Sequence, residues 1–292
     1  MLLKVIIMNK VNFPALHCDD VYATCLLSVG PRSLDYKIKL NRISEIVATS
    51  WQKFDDRCTP KNLHLFPPCH PRNKEQVITG NVTKDDLMNL YTRHMLKLGS
   101  ESRKIYDKLR AASNGVCPLC GIHGVATLDH YLPKARYPLF SVNPKNLIPA
   151  CQNCNEGKSD SVFVNASDLT LYPYNDDNKF YKTDWISATI ATSNGILVFD
   201  FFPDPPKKWL NVEQQRVINH FKNFSLRSKY SINAAQFVTT INSDIRRMLL
   251  NGDHNVVQSH YQELAGKVPF NSTLRVMYNA IAKDLNICRG DY

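Results

Sequence analysis

The sequence predicts an α+β protein in which a small β-rich metal core lies between mainly helical regions. Three observations predict it. Two Cys-x-x-Cys pairs, Cys117/Cys120 and Cys151/Cys154, bracket one short stretch. Apolar residues recur at helical spacing before and after that stretch. The runs WISATIAT and ILVFDFF flank Asn194-Gly195, a strong signal for a β-hairpin.

Taken in order, the chain opens on an aliphatic run, Leu2 to Met8, and on VYATCLLSVG, two buried pieces whose type the pattern leaves open. YKIKLNRISEIVATSWQKF predicts one helix over 35–58, with Ile38, Leu40, Ile43, Ile46, Val47 and Trp51 along its apolar stripe. Lys37, Lys39 and Arg42 on it face either water or a phosphate backbone. Pro60, Pro67, Pro68 and Pro71 make 59–82 a loop. His17-Cys18, His64, Cys69 and His70 show no ligand spacing and are taken as structural. Thr83 suits the N-cap of a helix that starts at Lys84, with Asp85 and Asp86 in its first turn and LMNLYTRHML as its continuation. ESRKIYDKLRAAS predicts a second helix, with Ile105, Leu109 and Ala112 inward and a left-handed stop at Asn114-Gly115.

Beyond Asp160, YPYNDDNKFY reads as a polar loop, and the hairpin follows it, closed by Pro203, Pro205 and Pro206. Residues 211–250 are expected to be helical, with Ile218, Phe221 and Phe224 in the core and a break near Ser225. Asn251-Gly252 punctuates, and helices over 255–266 and 271–287 complete the chain. The expected division is a basic helical region over 1–115, the metal core over 116–170, and the hairpin with a helical region over 171–292.

Composition narrows the setting. The 292 residues are 43% hydrophobic, ample for a core, and the formal net charge is +10. The excess lies upstream: 18 Lys/Arg against 11 Asp/Glu in 1–116, 4 against 4 in 117–170, and 14 against 11 in 171–292. Such a balance permits a polyanionic partner and equally describes solvated lysines. No secretory signal opens the chain, and no apolar run approaches the ~18 residues of a membrane span. A reducing, cytoplasmic setting follows. There, paired cysteines more often hold a metal than form a disulfide.

Four thiolates satisfy tetrahedral Zn²⁺, and each Cys-x-x-Cys lets one tight turn offer two sulfurs. The filled sphere assigns this zinc to folding. Between the knuckles lie 30 residues, more than the ~15–20 of simple zinc ribbons, so the knuckles carry an insert. It holds Asp129-His130 at the end of a predicted strand beside Pro133, and then Asn146. Asp129 is a hard oxygen donor, and His130 titrates near neutrality. A helix entered from Cys151 would set Asn155 and Lys158 one turn apart.

Asp129-His130, Asn146 and the Cys-x-x-Cys-Asn-x-x-x-Lys ending resemble the HNH endonucleases whose ββα-metal core is held by a four-cysteine zinc. The resemblance implies a metal-dependent phosphodiester hydrolase acting on nucleic acid, with DNA as the expected substrate. By it, Asp129 and Asn155 are ligands of a catalytic Mg²⁺ or Mn²⁺, His130 is the general base, and Asn146 fixes the loop that orients it. Asn155 stands where the family usually has a histidine. Lys134, Arg136 and Lys158 are candidates for contact with flanking phosphates. The same stretch, with the helix leading into it, is similar to the HNH subunits of Septu-type antiphage systems, which work beside an ATPase subunit. The alternative reading is a zinc-stabilised nucleic-acid-binding or assembly module whose catalytic site has decayed, which Asn155 favours.

Overall fold

The structure is a computed structural model that describes residues 8–16, 18–58, 62–157 and 162–292. The aliphatic run ahead of Met8, His17 and Lys158 lie outside the described residues. The fold is α+β, with helices and small two-stranded antiparallel sheets. Two compact units divide it: residues 11–115 with 124–175, and residues 116–123 with 176–292.

In the first of these, VYATCLLSVG resolves as a helix, α1 (Cys18–Leu27), which buries Val21, Tyr22, Cys25 and Leu26. The single helix expected over 35–58 is two, α2 (Leu34–Asn41) and α3 (Ser44–Cys58). The Ser44 hydroxyl donates to the Asn41 carbonyl at 2.7 Å, and the Ile43 amide bonds back only three residues, to the Leu40 carbonyl at 3.1 Å. A side chain competing for a helix carbonyl is the physical cause of such a break. Leu40, Ile43, Val47 and Trp51 are buried as expected, whereas Ile38 and Ile46 face solvent.

The proline-rich loop holds a short hairpin near its end, β1 (Val77–Thr79) with β2 (Val82–Thr83). Thr83 then caps α4 (Lys84–Asn89). Its hydroxyl accepts from the Asp86 amide, and the Asp86 carboxylate accepts from the Thr83 amide at 2.7 Å, a reciprocal capping box. LMNLYTRHML does not continue as α-helix. Residues Leu90–Met95 form a π-helical turn instead. The next helix, α5 (Glu101–Ala111), buries Ser102, Tyr106 and Leu109. Ile105, expected on the inner face, is half-buried, because the helix is rotated to put the tyrosine inward. It stops at Asn114 and Gly115, both with positive φ (56° and 84°), as expected. Two strands and a short helix follow: β3 (Thr127–His130), β4 (Leu147–Ala150) and α6 (Gln152–Gly157).

The second unit is built on the predicted hairpin. Strand β5 (Ile186–Ser193) pairs antiparallel with β6 (Ile196–Pro203) through Asn194 and Gly195, whose φ values of 52° and 70° give the mirror-image turn that matches strand twist. Leu197, Phe199 and Phe201 point inward along β6. Helix α7 (Asn211–Asn223) ends at Ser225, in a left-handed conformation, and α8 (Leu226–Asn251) follows. Phe221 and Phe224 are buried with Val217 and His220, while Ile218 is half-buried. The last elements are α9 (His254–Lys267), α10 (Thr273–Lys283) and α11 (Leu285–Arg289). The helix expected over 271–287 divides at Asp284, whose carboxylate accepts from the amides of Asn286 and Ile287 and so starts a new helix. Trp185 is fully buried, its indole donating to the Phe180 carbonyl at 2.8 Å. Among the described residues no helix is long and apolar enough to cross a membrane.

Arg216 and Asp176 form a two-pronged ion pair inside this unit, at 2.7 and 2.9 Å, each side chain 2% exposed. Removing one partner of such a pair strands a buried charge, at a cost of about 3–5 kcal/mol. Asp176→Ala is therefore expected to lower unfolding free energy by that amount in urea titration. A change below about 1 kcal/mol would show that the arginine finds water or another partner.

Candidate functional site

The four cysteines come together. Their sulfurs all lie within 4.8 Å of one another, all four residues are buried, and none is in a disulfide. Tetrahedral zinc with Zn–S near 2.3 Å asks for sulfurs about 3.8 Å apart, so the cluster fits the ion with a small contraction. Each pair is shaped by its own turn. In the first, the Gly121 amide donates to the Cys117 carbonyl at 2.8 Å with Gly121 at φ 66°, and the Cys117 amide donates to the His123 carbonyl. In the second, the amides of Cys154 and Asn155 both donate to the Cys151 carbonyl as the chain enters α6. His220 buttresses the first turn. Its Nε2 donates to the Leu119 carbonyl at 2.8 Å, and burial pushes its pKa down to about 4, so the imidazole is neutral. His123 Nδ1 lies 3.9 Å from the Cys120 sulfur, a position that keeps it beside the cluster.

Asp129 and His130 end β3, in register with Ile148 and Leu147 of β4, and α6 packs against β3. The order strand, strand, helix therefore puts Asp129 and His130 on the first strand and Asn155 on the helix of one small sheet-and-helix unit. Asp129 is 6% and His130 8% exposed. Asn155 is half-buried on α6. Asp129 and Asn155 offer hard oxygen donors, a set suited to Mg²⁺ or Mn²⁺ and poor for softer ions.

The imidazole of His130 is held from two sides. Its Nε2 lies 2.8 Å from the Ser141 carbonyl. A carbonyl only accepts, so Nε2 carries the proton and Nδ1 is left as the basic nitrogen. The ring of Tyr91 stands edge-to-face against it, with centroids 4.5 Å apart at 72°. Tyr91 comes from the π-helical turn, an irregularity that recurs at functional sites. Burial, with the nearby charges of Tyr106 and Asp129, holds its phenol well above the usual range and hence protonated. No sequence pattern pointed to Tyr91 or to the Ser141 carbonyl.

Asn146 is fully buried and ties the loop between the strands together. Its Oδ1 accepts from the Leu132 amide at 2.7 Å, and its Nδ2 donates to the carbonyls of Leu132 and Phe140 at 3.0 and 3.1 Å. Its own carbonyl accepts from the Tyr131 amide. One side chain thus spans residues 132–140, just ahead of Ser141. Asn146→Ala would leave one amide and two carbonyls without these partners, each at about 1–3 kcal/mol. The expected outcome is a drop of a few kcal/mol in unfolding free energy with zinc retained. A variant as stable as the parent would show that the loop is held elsewhere.

The basic candidates separate. Lys134 Nζ lies 4.6 Å over the Tyr91 ring, and burial lowers its pKa. It shares the tyrosine with His130. Arg136 turns elsewhere, its Nε donating to the Cys69 carbonyl at 2.7 Å while the Cys69 amide donates back to the Arg136 carbonyl. Lys158 lies outside the described residues.

Comparison with known proteins finds a phage relative. Protein ea31 of Escherichia phage lambda is 30% identical over 244 residues, which covers 78% of this chain and 82% of that protein. No family model matches the chain, and no solved structure matches it.

Proposed function

The chain belongs to the Ea31 family, and from its site we propose that it is an HNH-type, metal-dependent endonuclease that hydrolyses phosphodiester bonds, with DNA as the substrate to test first. The observation that carries this reading is His130, whose Nε2 is engaged by the Ser141 carbonyl beside the buried carboxylate of Asp129. That arrangement supports a general base with a defined tautomer next to a hard-cation ligand. Asp129 and Asn155 would hold Mg²⁺ or Mn²⁺, and a divalent ion bound there would supply positive charge to the phosphoryl and leaving oxygens.

The chain's own residues do the rest. Nδ1 of His130 accepts the proton of the attacking water. The Ser141 carbonyl and the Tyr91 ring keep the imidazole from rotating, so no reorganisation is needed at the moment of transfer. The Lys134 ammonium beside them attracts a phosphate without reading its sequence. The four-cysteine zinc staples the fold and takes no part in chemistry. The resemblance to Septu-type HNH subunits extends the proposal to an ATPase partner and a role in antiphage defence.

Asn155 favours a second reading, a zinc-stabilised nucleic-acid-binding or assembly module without catalysis. Zinc-loaded protein incubated with supercoiled plasmid, single-stranded DNA and RNA separates the two. Divalent ion should be added or left out rather than chelated, since a chelator also competes for the structural zinc. Cutting of at least one substrate only when Mg²⁺ or Mn²⁺ is added is expected. Tight binding with no cutting under any ion, alone or with its partner, would leave the second reading.

A further inference from the structure

A cavity of about 270 Å³ lies on the unit that carries His130, walled by α3, the proline-rich loop and residues 136–140. We propose that it binds one nucleotide unit, the base against its aromatic floor and the phosphate on its cations.

The floor is apolar and partly aromatic. Phe66 and Phe140 meet at 4.8 Å and 68°, and the Arg57 guanidinium lies 4.2 Å over the Phe66 ring. Three cations line the walls, Lys53, Arg57 and Arg136, and no carboxylate does. None of the three has an ion-pair partner among the described residues, whereas Lys145 and Lys39 are paired with Asp55 and Asp86. Two of the residues that line this cavity, Tyr137 and Arg57, each carry a buried polar atom without a hydrogen bond, the Tyr137 hydroxyl and Nη1 of Arg57.

An anion alone would satisfy the cations and leave the aromatic floor bare. An acyl chain would outgrow the volume and ignore the charge. A nucleotide answers both features, since base stacking on aromatic side chains contributes about 1–3 kcal/mol per base and tolerates any sequence. The unit could come from a nucleic-acid strand or from the free nucleotide pool. The wall formed by Arg136 to Phe140 runs directly into Ser141, whose carbonyl holds His130. The proposal goes beyond the nuclease reading and does not depend on it, because the cavity shares no residue with the proposed catalytic centre.

Calorimetric titration of full-length zinc-loaded protein, without Mg²⁺ or Mn²⁺, tests this whether or not the protein cuts. The probes are 5′-dAMP, single-stranded d(A)4 and inorganic phosphate. Saturable binding of 5′-dAMP or d(A)4 is expected, with phosphate at least tenfold weaker. The charge variant Lys53→Glu/Arg57→Gln should weaken binding at least tenfold. Ser50→Phe, which fills the cavity from the half-buried flank of α3, should do the same. Binding of d(A)4 alone would identify a strand as the source, and binding of 5′-dAMP would admit the free nucleotide. The proposal is overturned if neither saturates, if phosphate binds as tightly as 5′-dAMP, or if both variants, with unchanged melting, bind as the parent does.

Discussion

Replacing Cys151 with serine is expected to empty the zinc site and to unfold the protein or lower its melting temperature steeply. A serine hydroxyl is not ionised near neutral pH and replaces thiolate poorly, so the cluster loses one of its four sulfurs. Structural zinc supplies about 10–16 kcal/mol of apparent binding energy in small domains. Whole domains are stable by only about 5–15 kcal/mol. The metal term is therefore as large as the stability it supports. The loss is compounded because three buried thiols would remain crowded together, at the turn into α6 where the Cys151 carbonyl accepts from the amides of Cys154 and Asn155. Zinc per chain by atomic absorption and a thermal melt on the same sample check this. Unchanged metal content and melting temperature would show that the four sulfurs meet without holding an ion.

The second large effect is on chemistry. His130→Ala is expected to slow divalent-ion-dependent cleavage by about 10²–10⁴-fold, the range a positioned general base contributes. The fold should survive, since Asn146 holds the loop ahead of Ser141 through three side-chain hydrogen bonds of its own. Zinc content and melting within a few degrees of the parent would separate lost catalysis from lost structure. Tyr91→Leu removes the wall rather than the base. A drop in kcat with little change in KM would mark Tyr91 as a positioning residue, and an equal loss in the Cys151→Ser direction, through stability, would mark it as core.

Much of the site was legible because it is local. The two Cys-x-x-Cys pairs, the strand carrying Asp129-His130 and the helix entered from Cys151 are each set by a few consecutive residues. So are the Asn194-Gly195 hairpin, the Thr83 cap and the stops at Asn114-Gly115 and Ser225. What escaped depends on competition or on distance along the chain. The break at Ser44 turns on a hydroxyl outbidding an amide for one carbonyl. The inward face of α5 is chosen by Tyr106, not by its aliphatic residues. Tyr91 reaches His130 from 39 positions away through a π-helical turn whose extra residue no periodicity announces. Arg136 looked like Lys134 in sequence, and only the Cys69 carbonyl, 67 positions distant, draws it away from His130.

His130, positioned by Ser141 and Asn146, is proposed as the base of a metal-dependent nuclease. Single-turnover cleavage of supercoiled plasmid, with parent and His130→Ala proteins purified side by side and assayed with and without Mg²⁺ or Mn²⁺, tests it most directly. Cutting by the parent is expected only with added ion, with a rate at least 100-fold lower in the variant at equal zinc content. Cleavage by the zinc-loaded variant at the parental rate would contradict it.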